Sequence, residues 1–209
     1  MKYYSQIGQD KFIDDLFKGK YRGYFLDIGS NDGITGNNTY FFEKYRNWTG
    51  VCIEPNPDVF EKLKQNGRKI VLNAAIFNDD RQSVNFQCLS GYTEMLSGIV
   101  ECFDQTHKDR IERELKMYGG TSNIIEVKCC RLSKLTDKLN IHHVDYCSID
   151  VEGAEMSVLQ SIDFDNTYIH CFSVENNNGT DEVRNFMKTK GYSCTKLEFD
   201  DIFVKEEVI

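Results

Sequence analysis

Residues 24–42 read YFLDIGSNDGITGNNTYFF, an apolar segment that runs into a glycine-rich turn. Asp27 lies near the end of the apolar segment, and Gly29 and Asn31 follow in the turn. In dinucleotide-binding α/β proteins such a turn joins a strand to a helix and approaches the ligand closely. This turn differs from theirs because Asp27 and Asp32 would repel a pyrophosphate. It therefore predicts an α/β fold whose ligand carries no phosphate.

A further acid follows the next apolar segment. Glu54 lies 21 residues after Gly33, and a carboxylate about 20 residues beyond the turn binds ribose hydroxyls in such folds. The acids of the turn would attract an ammonium or a sulfonium. S-adenosylmethionine combines a ribose with both cations and has no phosphate, so it is the predicted ligand. In NAAI, residues 73–76, Asn73 is a candidate partner for the adenine amino group and Ala74 leaves room for the ring; an ordinary strand end is the alternative.

Short apolar segments alternate with helical patterns along most of the chain. This alternation predicts an α/β, Rossmann-like fold with a mostly parallel central sheet and helices on both faces. The predicted strands cover 24–28, 50–54, 69–76, 145–151 and 169–175. Helices are predicted between them, one from Pro57 to Gly67 and one over 153–162.

Two stretches depart from this alternation. The first is interpreted as an insertion, which consists of an alternating strand at 83–89, a charged helix at 104–120 and a strand after that helix. Beyond residue 191, two strands joined by a tight turn at Asp200 and Asp201 are expected to form an antiparallel edge of the sheet.

The length and composition are typical of a single globular domain, here residues 1–209. A net charge of −8 and a pI near 5.1 argue against a nucleic-acid partner, because duplex binding depends on Lys and Arg. No apolar run approaches the roughly 18 residues of a membrane span, and no export signal is recognisable, which predicts a cytoplasmic protein. The eight cysteines form no C-x-x-C pair and are expected to be reduced core residues. The sequence predicts no particular oligomeric state.

Several blocks of sequence together carry a family resemblance. They are YSQIGQDKFI, YFLDIGSNDGITGNNT, WTGVCIEPNPDVFEKL, NAAI, YCSIDVEGAEMSVLQSIDF and FSVEN, and they span residues 4–176. In this order they resemble the FkbM family of S-adenosylmethionine-dependent O-methyltransferases. The resemblance implies a class I methyltransferase sheet and a hydroxyl acceptor on a sugar, a glycan or a polyketide-like molecule. A sugar hydroxyl is favoured, with a deoxyhexose such as rhamnose as the guess.

The resemblance also implies roles for single residues. Asp27, Gly29 and Asn31 would contact the methionine end of the cofactor, Glu54 the ribose, and Asn73 with Ala74 the adenine. Gln6 and Gln9 would form a lid over the cofactor or the acceptor. The alternative for the two glutamines is an N-terminal helix that packs on the core through its apolar side chains.

Four polar residues follow the last two parallel strands. Asp150 and Glu152 come at the end of one strand, and Glu175 and Asn176 at the end of the next, so all four are expected on one rim of the sheet. Asp150, Glu175 and Asn176 offer hard oxygen ligands for Mg²⁺ or Mn²⁺. Asp150 and Glu175 are predicted catalytic residues that hold either this ion or the hydroxyls of the acceptor. A sugar hydroxyl is a weak acid, and Glu152 is the predicted base. A helix cap is the alternative role of Asp150, and a structural role is favoured for Glu155.

Other functions remain as alternatives at this point. In one alternative, the methyl acceptor is a nitrogen or a non-sugar small molecule. In another, the chain is a non-catalytic nucleotide-binding or interaction module. The acidic turn disfavours an NAD-dependent dehydrogenase. Whether the chain is a complete protein or one domain of a larger glycan-synthesis enzyme stays open.

Overall fold

A mostly parallel sheet forms the centre of the fold in the computed structural model, which describes residues 1–177 and 179–206. The helices are α1 Gln9–Leu16, α2 Tyr40–Tyr45, α3 Pro57–Gln65, α4 Gln105–Tyr118, α5 Leu132–Leu139, α6 Glu155–Gln160 and α7 Asp181–Thr189, with 3-10 helices at Gly91–Leu96 and Val100–Cys102. The strands are β1 Tyr24–Ile28, β2 Thr49–Ile53, β3 Val71–Leu72, β4 Ala75–Ile76, β5 Ser83–Leu89, β6 Gly98–Ile99, β7 Ser122–Cys130, β8 His143–Ile149, β9 Tyr168–Glu175, β10 Tyr192–Leu197 and β11 Asp200–Lys205.

The described part of the central sheet has the strand order β10-β11-β9-β8-β1-β2-β3. Strands β1, β2, β3, β8 and β9 pair in parallel. The apolar side chains of β1, β2, β8 and β9 are mostly buried on both faces, and the two residues of β3 are half-buried. Helices connect these strands, as the alternation predicts. The order of the strands reverses between β1 and β8, and in such sheets a ligand crevice forms where their carboxyl ends diverge.

The apolar segment 69–76 is not one strand, as the sequence predicts, but two. Its first half, β3, pairs with β2 in the central sheet, whereas β4 pairs in parallel with β7 of a second sheet, in the order β4-β7-β5-β6 among the described residues. Between the halves, Asn73 donates hydrogen bonds to the carbonyls of Glu54 and Pro55 at 2.9 and 3.0 Å, which turns the chain away from the central sheet. The predicted insertion is therefore confirmed as a separate layer whose strands β5, β6 and β7 pair antiparallel, with α4 packed against its 3-10 helix Gly91–Leu96.

The antiparallel edge is confirmed, but its turn lies elsewhere. Asp200 and Asp201 begin β11 and pair with Glu175 and Val174 of β9, and the turn occupies Glu198 and Phe199. Both aspartates are buried with partners: Asp201 accepts hydrogen bonds from Arg184, and Asp200 accepts one from Gln9. Two consecutive aspartates are typical of an exposed turn. Here their arginine and amide partners compensate for the burial of the two carboxylates in the sheet.

The described helices are each too short or too polar to cross a bilayer. All eight cysteines are free thiols. Cys52, Cys129, Cys147 and Cys171 are buried, as expected, whereas Cys194 is exposed on the edge strand β10.

Candidate active site

A cavity of about 620 Å³ opens at the carboxyl ends of β1, β2, β8 and β9. The central sheet forms one wall, and the insertion forms the other through side chains such as Phe86, Leu96, Ile99 and Arg110. A site between a rigid sheet and a separate layer can bind two molecules at once, one against each wall.

The glycine-rich turn gives the cavity its shape at β1. Gly29 has φ +84°, and a Cβ atom placed there would lie 1.7 Å from the carbonyl oxygen of Asp150. The ends of β1 and β8 therefore approach each other more closely than any side chain would permit. Asn31 also has a left-handed backbone, at φ +49°, and lines the cavity together with Gly29.

Glu54 lies on the cavity wall and also holds the turn. Its two carboxylate oxygens accept hydrogen bonds from the backbone N–H groups of Asn31, at 3.0 Å, and Asn56, at 2.8 Å. Burial raises the pKa of Glu54 to about 7, against the effect of these two hydrogen bonds. The side chain is positioned as a ribose ligand should be, at the end of β2.

Asp27 takes a different place from the one that the sequence suggests. Its carboxylate is buried beneath the turn, where it accepts hydrogen bonds from Asn37 at 2.8 Å and Thr39 at 2.7 Å and lies 3.8 Å from the guanidinium of Arg68. Arg68 is itself buried and pairs with Glu43. The charge of Asp27 thus has internal partners, and the residue supports the turn from below instead of facing a ligand in the cavity.

The second acid of the turn also serves the turn itself. Asp32 accepts hydrogen bonds from the N–H groups of Ile34 and Thr35 and from the Thr35 hydroxyl. Although burial opposes its charge, these bonds hold the pKa of Asp32 below its ordinary value. The attraction of a cationic ligand by Asp27 and Asp32, as argued from sequence, finds no support in this geometry.

At the expected adenine end, the structure separates the two candidates. Ala74 is buried on the cavity wall beside Ala75 and Ile76, where its small side chain leaves room for a flat ring. Asn73 is not among the lining residues, because its amide binds the backbone at the end of β2. Val59 and Ile53 add apolar surface at this end of the cavity.

Three carboxylates gather at the other end of the cavity. Asp150, Glu152 and Glu175 each bring an oxygen within 4.8 Å of the others. Burial, followed by their mutual repulsion and that of neighbouring acids, raises the pKa of Asp150 to about 7 and of Glu152 to about 8, and raises that of Glu175 well above its ordinary value. Such a group favours a bound proton or a bound cation.

Two neighbouring polar residues stay outside this cluster. The amide nitrogen of Asn176 donates to Asp201 at 2.6 Å and to the Thr180 carbonyl at 3.0 Å, and its amide oxygen accepts from the Thr180 N–H at 3.0 Å. Both ends of this side chain are thus bound outside the cavity, whereas Glu152 lies in the group of three carboxylates. Glu155 accepts hydrogen bonds from the N–H groups of Val151 and Gly153 and starts α6, the structural role that the sequence favours.

Two residues of α4 contribute to the site without any signal in the sequence. The Nδ1 atom of His107 lies 3.5 Å from a carboxylate oxygen of Glu152, and its Nε2 lies 3.1 Å from the Leu96 carbonyl. Arg110 lines the cavity, and its charge lowers the pKa of Glu152, against the larger effect of burial. Both belong to the charged helix of the insertion, whose pattern resembles that of an ordinary solvated helix.

The N-terminal glutamines divide between the two roles considered for them. Gln6 lines the cavity, as a lid residue would. Gln9 is buried at the start of α1 and donates to Asp200 at 2.9 Å, which ties the helix to the sheet edge. Only Gln6 is therefore placed to meet a ligand.

The sheet order, the glycine-rich turn and the acid at the end of β2 define a Rossmann-like methyltransferase fold. The FkbM methyltransferase of Methylobacillus flagellatus KT has a similar structure, with a TM-score of 0.50 and 8% identity over 88% of this chain and 43% of that chain. A TehB-like S-adenosylmethionine-dependent methyltransferase of Corynebacterium glutamicum gives a TM-score of 0.48 and 9% identity, over 98% and 89% of the two chains.

The sequence defines the family more narrowly. The methyltransferase FkbM domain matches residues 27–194, and the chain belongs to this family of methyltransferases. The AMB antimetabolite synthetase AmbE of Pseudomonas aeruginosa is 25% identical over 186 residues, which cover 75% of this chain and 9% of the synthetase. The chain therefore spans less than a tenth of that relative and under half of the solved FkbM chain.

The cavity fits S-adenosylmethionine, the methyl donor of this class. Glu54 offers oxygen acceptors at the end of β2, Ala74 leaves space for a flat ring, and the acid cluster lies in the same cavity, where it would favour a positive charge. Asp150, Glu152 and Glu175 line this cavity, whereas Asp27 and Asp32 do not.

Proposed function

We propose that the chain is an O-methyltransferase that transfers a methyl group from S-adenosylmethionine to a hydroxyl of a sugar or glycan, with a deoxyhexose such as rhamnose as the first candidate. One observation carries the proposal: Asp150, Glu152 and Glu175 share a cavity with Glu54. This arrangement supplies acids for handling an acceptor proton beside a place for the cofactor ribose.

The residues of the sheet wall would position the cofactor. S-adenosylmethionine supplies an electrophilic methyl group bound to a sulfonium. Glu54 would accept hydrogen bonds from the ribose hydroxyls, the backbone of Gly29 and Asn31 would border the methionine end, and Ala74 would leave space for the ring. Because the turn is held by Glu54 and by the buried Asp27 network, these groups are in place before binding, which reduces the entropy lost on association.

Glu152 would take the proton of the acceptor hydroxyl. Its pKa of about 8 lies close to neutral pH, in the range that suits a general base. Asp150 and Glu175 would accept hydrogen bonds from neighbouring hydroxyls and so orient the acceptor. His107, at 3.5 Å, keeps the Glu152 carboxylate directed into the cavity.

The same carboxylates fit a divalent cation. Asp150, Glu175 and Glu152 are hard oxygen ligands of the kind that Mg²⁺ and Mn²⁺ prefer. Such an ion would lower the pKa of an acceptor hydroxyl. A chelator that leaves the activity of the purified enzyme unchanged would exclude the ion and leave Glu152 as a metal-free base.

A second candidate is methylation of a nitrogen or of a non-sugar small molecule. Two observations favour it: the acid cluster would attract an ammonium, and part of the chain is similar to a segment of an antimetabolite synthetase. A nitrogen acceptor needs no metal, so activity that persists in EDTA and rises with the fraction of free amine would favour this candidate.

We also propose that residues 1–209 act as one domain, in the cytoplasm, on a small molecule or glycan and not on nucleic acid or membrane. The net charge of −8 supports the exclusion of nucleic acid. The match to 9% of a large synthetase is compatible with a domain of a longer enzyme. Fractionation of cells that produce the tagged protein tests the location.

Calorimetric titration with S-adenosylhomocysteine tests the proposed function. We expect micromolar binding by the wild-type chain and a loss of about tenfold or more in Glu54→Gln, which keeps the shape of the side chain but removes its charge. Glu61→Gln, an exposed carboxylate on α3, is the matched control. Titrations repeated with Mn²⁺ and with EDTA show whether the ion contributes. Absence of binding under all conditions would refute the methyltransferase proposal and leave the non-catalytic interaction module.

A further inference from the structure

Two exposed aromatic side chains border the mouth of the cavity, and neither belongs to the cofactor wall. Tyr92 lies on the 3-10 helix Gly91–Leu96 and is 66% exposed, and Phe199 lies at the turn between β10 and β11 and is 61% exposed. Both line the cavity. We call these two residues the aromatic rim. At the mouth of a ligand cavity, exposed aromatic rings offer flat apolar surfaces that a bound molecule can cover.

Tyr92 is held in place by a neighbour. Its ring lies 4.1 Å from that of Tyr118 at the end of α4, measured between centroids. Tyr118 does not line the cavity, so its contact supports Tyr92 from behind. A pre-positioned ring offers a flat apolar surface at little entropic cost.

The charge of the cavity narrows the class of molecule that the rim can hold. Among the described residues, the lining carboxylates are Glu54, Glu94, Glu114, Asp150, Glu152 and Glu175, and Arg110 is the one lining residue with a basic side chain. The Arg110 guanidinium is 2.9 Å from Glu114 and so already has an acidic partner. With no divalent cation at Asp150, Glu152 and Glu175, a diphosphate would bring negative charge among these carboxylates without a free arginine or lysine to receive it.

The carboxylates do suit a ligand with several hydroxyl groups. Each can accept hydrogen bonds, and a polyhydroxylated ring provides donors on its edge and C–H groups on its face. An apolar acceptor would cover the aromatic rim but give the clustered carboxylates of Asp150, Glu152 and Glu175 no further hydrogen-bond donors, at a cost for each buried group.

We infer that the acceptor is an uncharged glycoside, stacked on Tyr92 and Phe199, and not a nucleoside-diphosphate sugar. This inference rests on the proposed function and refines its substrate class. It implies a place in a reaction sequence: a glycosyl-transfer reaction must supply the acceptor, because the sugar reaches this cavity only after its diphosphate has left.

The test compares the same sugars with and without the diphosphate. Methyl glycosides of common hexoses and 6-deoxyhexoses are offered to the protein loaded with S-adenosylhomocysteine, beside the corresponding nucleoside-diphosphate sugars, and binding is read by saturation-transfer NMR. Methyl transfer from labelled S-adenosylmethionine to the same panel gives KM and kcat. Tyr92→Ala and Phe199→Ala are compared with Tyr21→Ala, which removes an exposed aromatic ring away from the cavity.

We expect at least one neutral glycoside to bind and to be methylated, with KM raised about tenfold or more in each rim variant, and S-adenosylhomocysteine affinity unchanged in all three variants. Preference for a nucleoside-diphosphate sugar, wild-type KM in both rim variants, or no binding of any panel member by the loaded protein would overturn the inference. Failure to bind S-adenosylhomocysteine is a separate result, because it refutes the proposed function itself.

Discussion

Replacement of Arg68 by methionine tests whether Asp27 is a structural residue or a cofactor ligand. The Arg68 side chain is 1% exposed. Its guanidinium pairs with Glu43, lies 3.8 Å from the Asp27 carboxylate, and donates to the Gly33 carbonyl at 2.8 Å and the Thr39 hydroxyl at 2.7 Å. Arg68→Met keeps an unbranched side chain up to the position of the Nε atom and removes every one of these donors.

The expected loss of stability follows from the two carboxylates left behind. Removing one partner of a buried ion pair typically costs about 3–5 kcal/mol, because the remaining charge keeps its desolvation penalty and loses its compensation. For a chain of this length, each kcal/mol lowers the melting temperature by about 2–4 °C. We therefore expect Tm to fall by about 10 °C or more. Adding Asp27→Asn removes one uncompensated charge and should restore part of the loss.

Thermal unfolding followed by circular dichroism measures this change, with Arg113→Met on the exposed face of α4 as the control. At a temperature where Arg68→Met is still folded, S-adenosylhomocysteine is expected to bind with at most a modest loss. A variant that keeps the wild-type Tm but no longer binds the ligand would refute this reasoning. It would mean that the network around Asp27 serves the cofactor, as the sequence suggests.

Two further predictions concern the acid cluster. Burial raises the folded-state pKa of Glu54 and Asp150 to about 7 and of Glu152 to about 8, above the unfolded values near 4, so the folded chain binds protons more tightly than the unfolded chain. The free energy of unfolding of the ligand-free protein should therefore fall as the pH rises from about 5 to about 8. The fall should be smaller in Glu152→Gln. A Tm that stays constant across this range would contradict the assigned environment. If Mn²⁺ binds, it should raise Tm in the wild type and in Asn176→Ala, but not in Asp150→Asn or Glu175→Gln. If Mn²⁺ fails to raise Tm in Asn176→Ala alone, Asn176 is a ligand after all.

Much of the central sheet is predictable because buried parallel strands consist of short, nearly continuous apolar segments that can be recognised in the sequence. The bounds of β1 agree with the sequence, and β8 and β9 are found within about two residues of their predicted positions. The cavity rim is predictable for the same reason, since Glu54, Asp150, Glu152 and Glu175 all follow such strands. The division of residues 69–76 between two sheets is not predictable, because side-chain bonds of Asn73 decide it and the apolar pattern does not change there.

The roles of single polar residues depend on partners that are distant in sequence. From the sequence, Asp27 is predicted to bind a cationic ligand; in the structure its carboxylate lies beside Arg68, which follows 41 residues later. From the sequence, Asn176 is predicted to be a metal ligand; in the structure its amide is hydrogen-bonded to Asp201 and Thr180. His107 and Arg110 reach the site from α4 because the insertion folds back over the sheet, and no local pattern encodes that contact.

The way in which the insertion joins the core has a consequence for how acceptor preference can change. The chain enters the second sheet through β4 and leaves it through β7, and the last residues of these strands, Ile76 and Cys130, are direct neighbours in a parallel pair, with the Phe77 N–H bonded to the Cys130 carbonyl at 3.0 Å. A segment whose ends lie side by side can be shortened, extended or transplanted from a relative without displacing the strands that carry Gly29 and Glu54. Because residues of the segment 77–130 line the cavity, exchanging this segment between relatives would change the proposed acceptor wall and leave the strands of the cofactor wall in place.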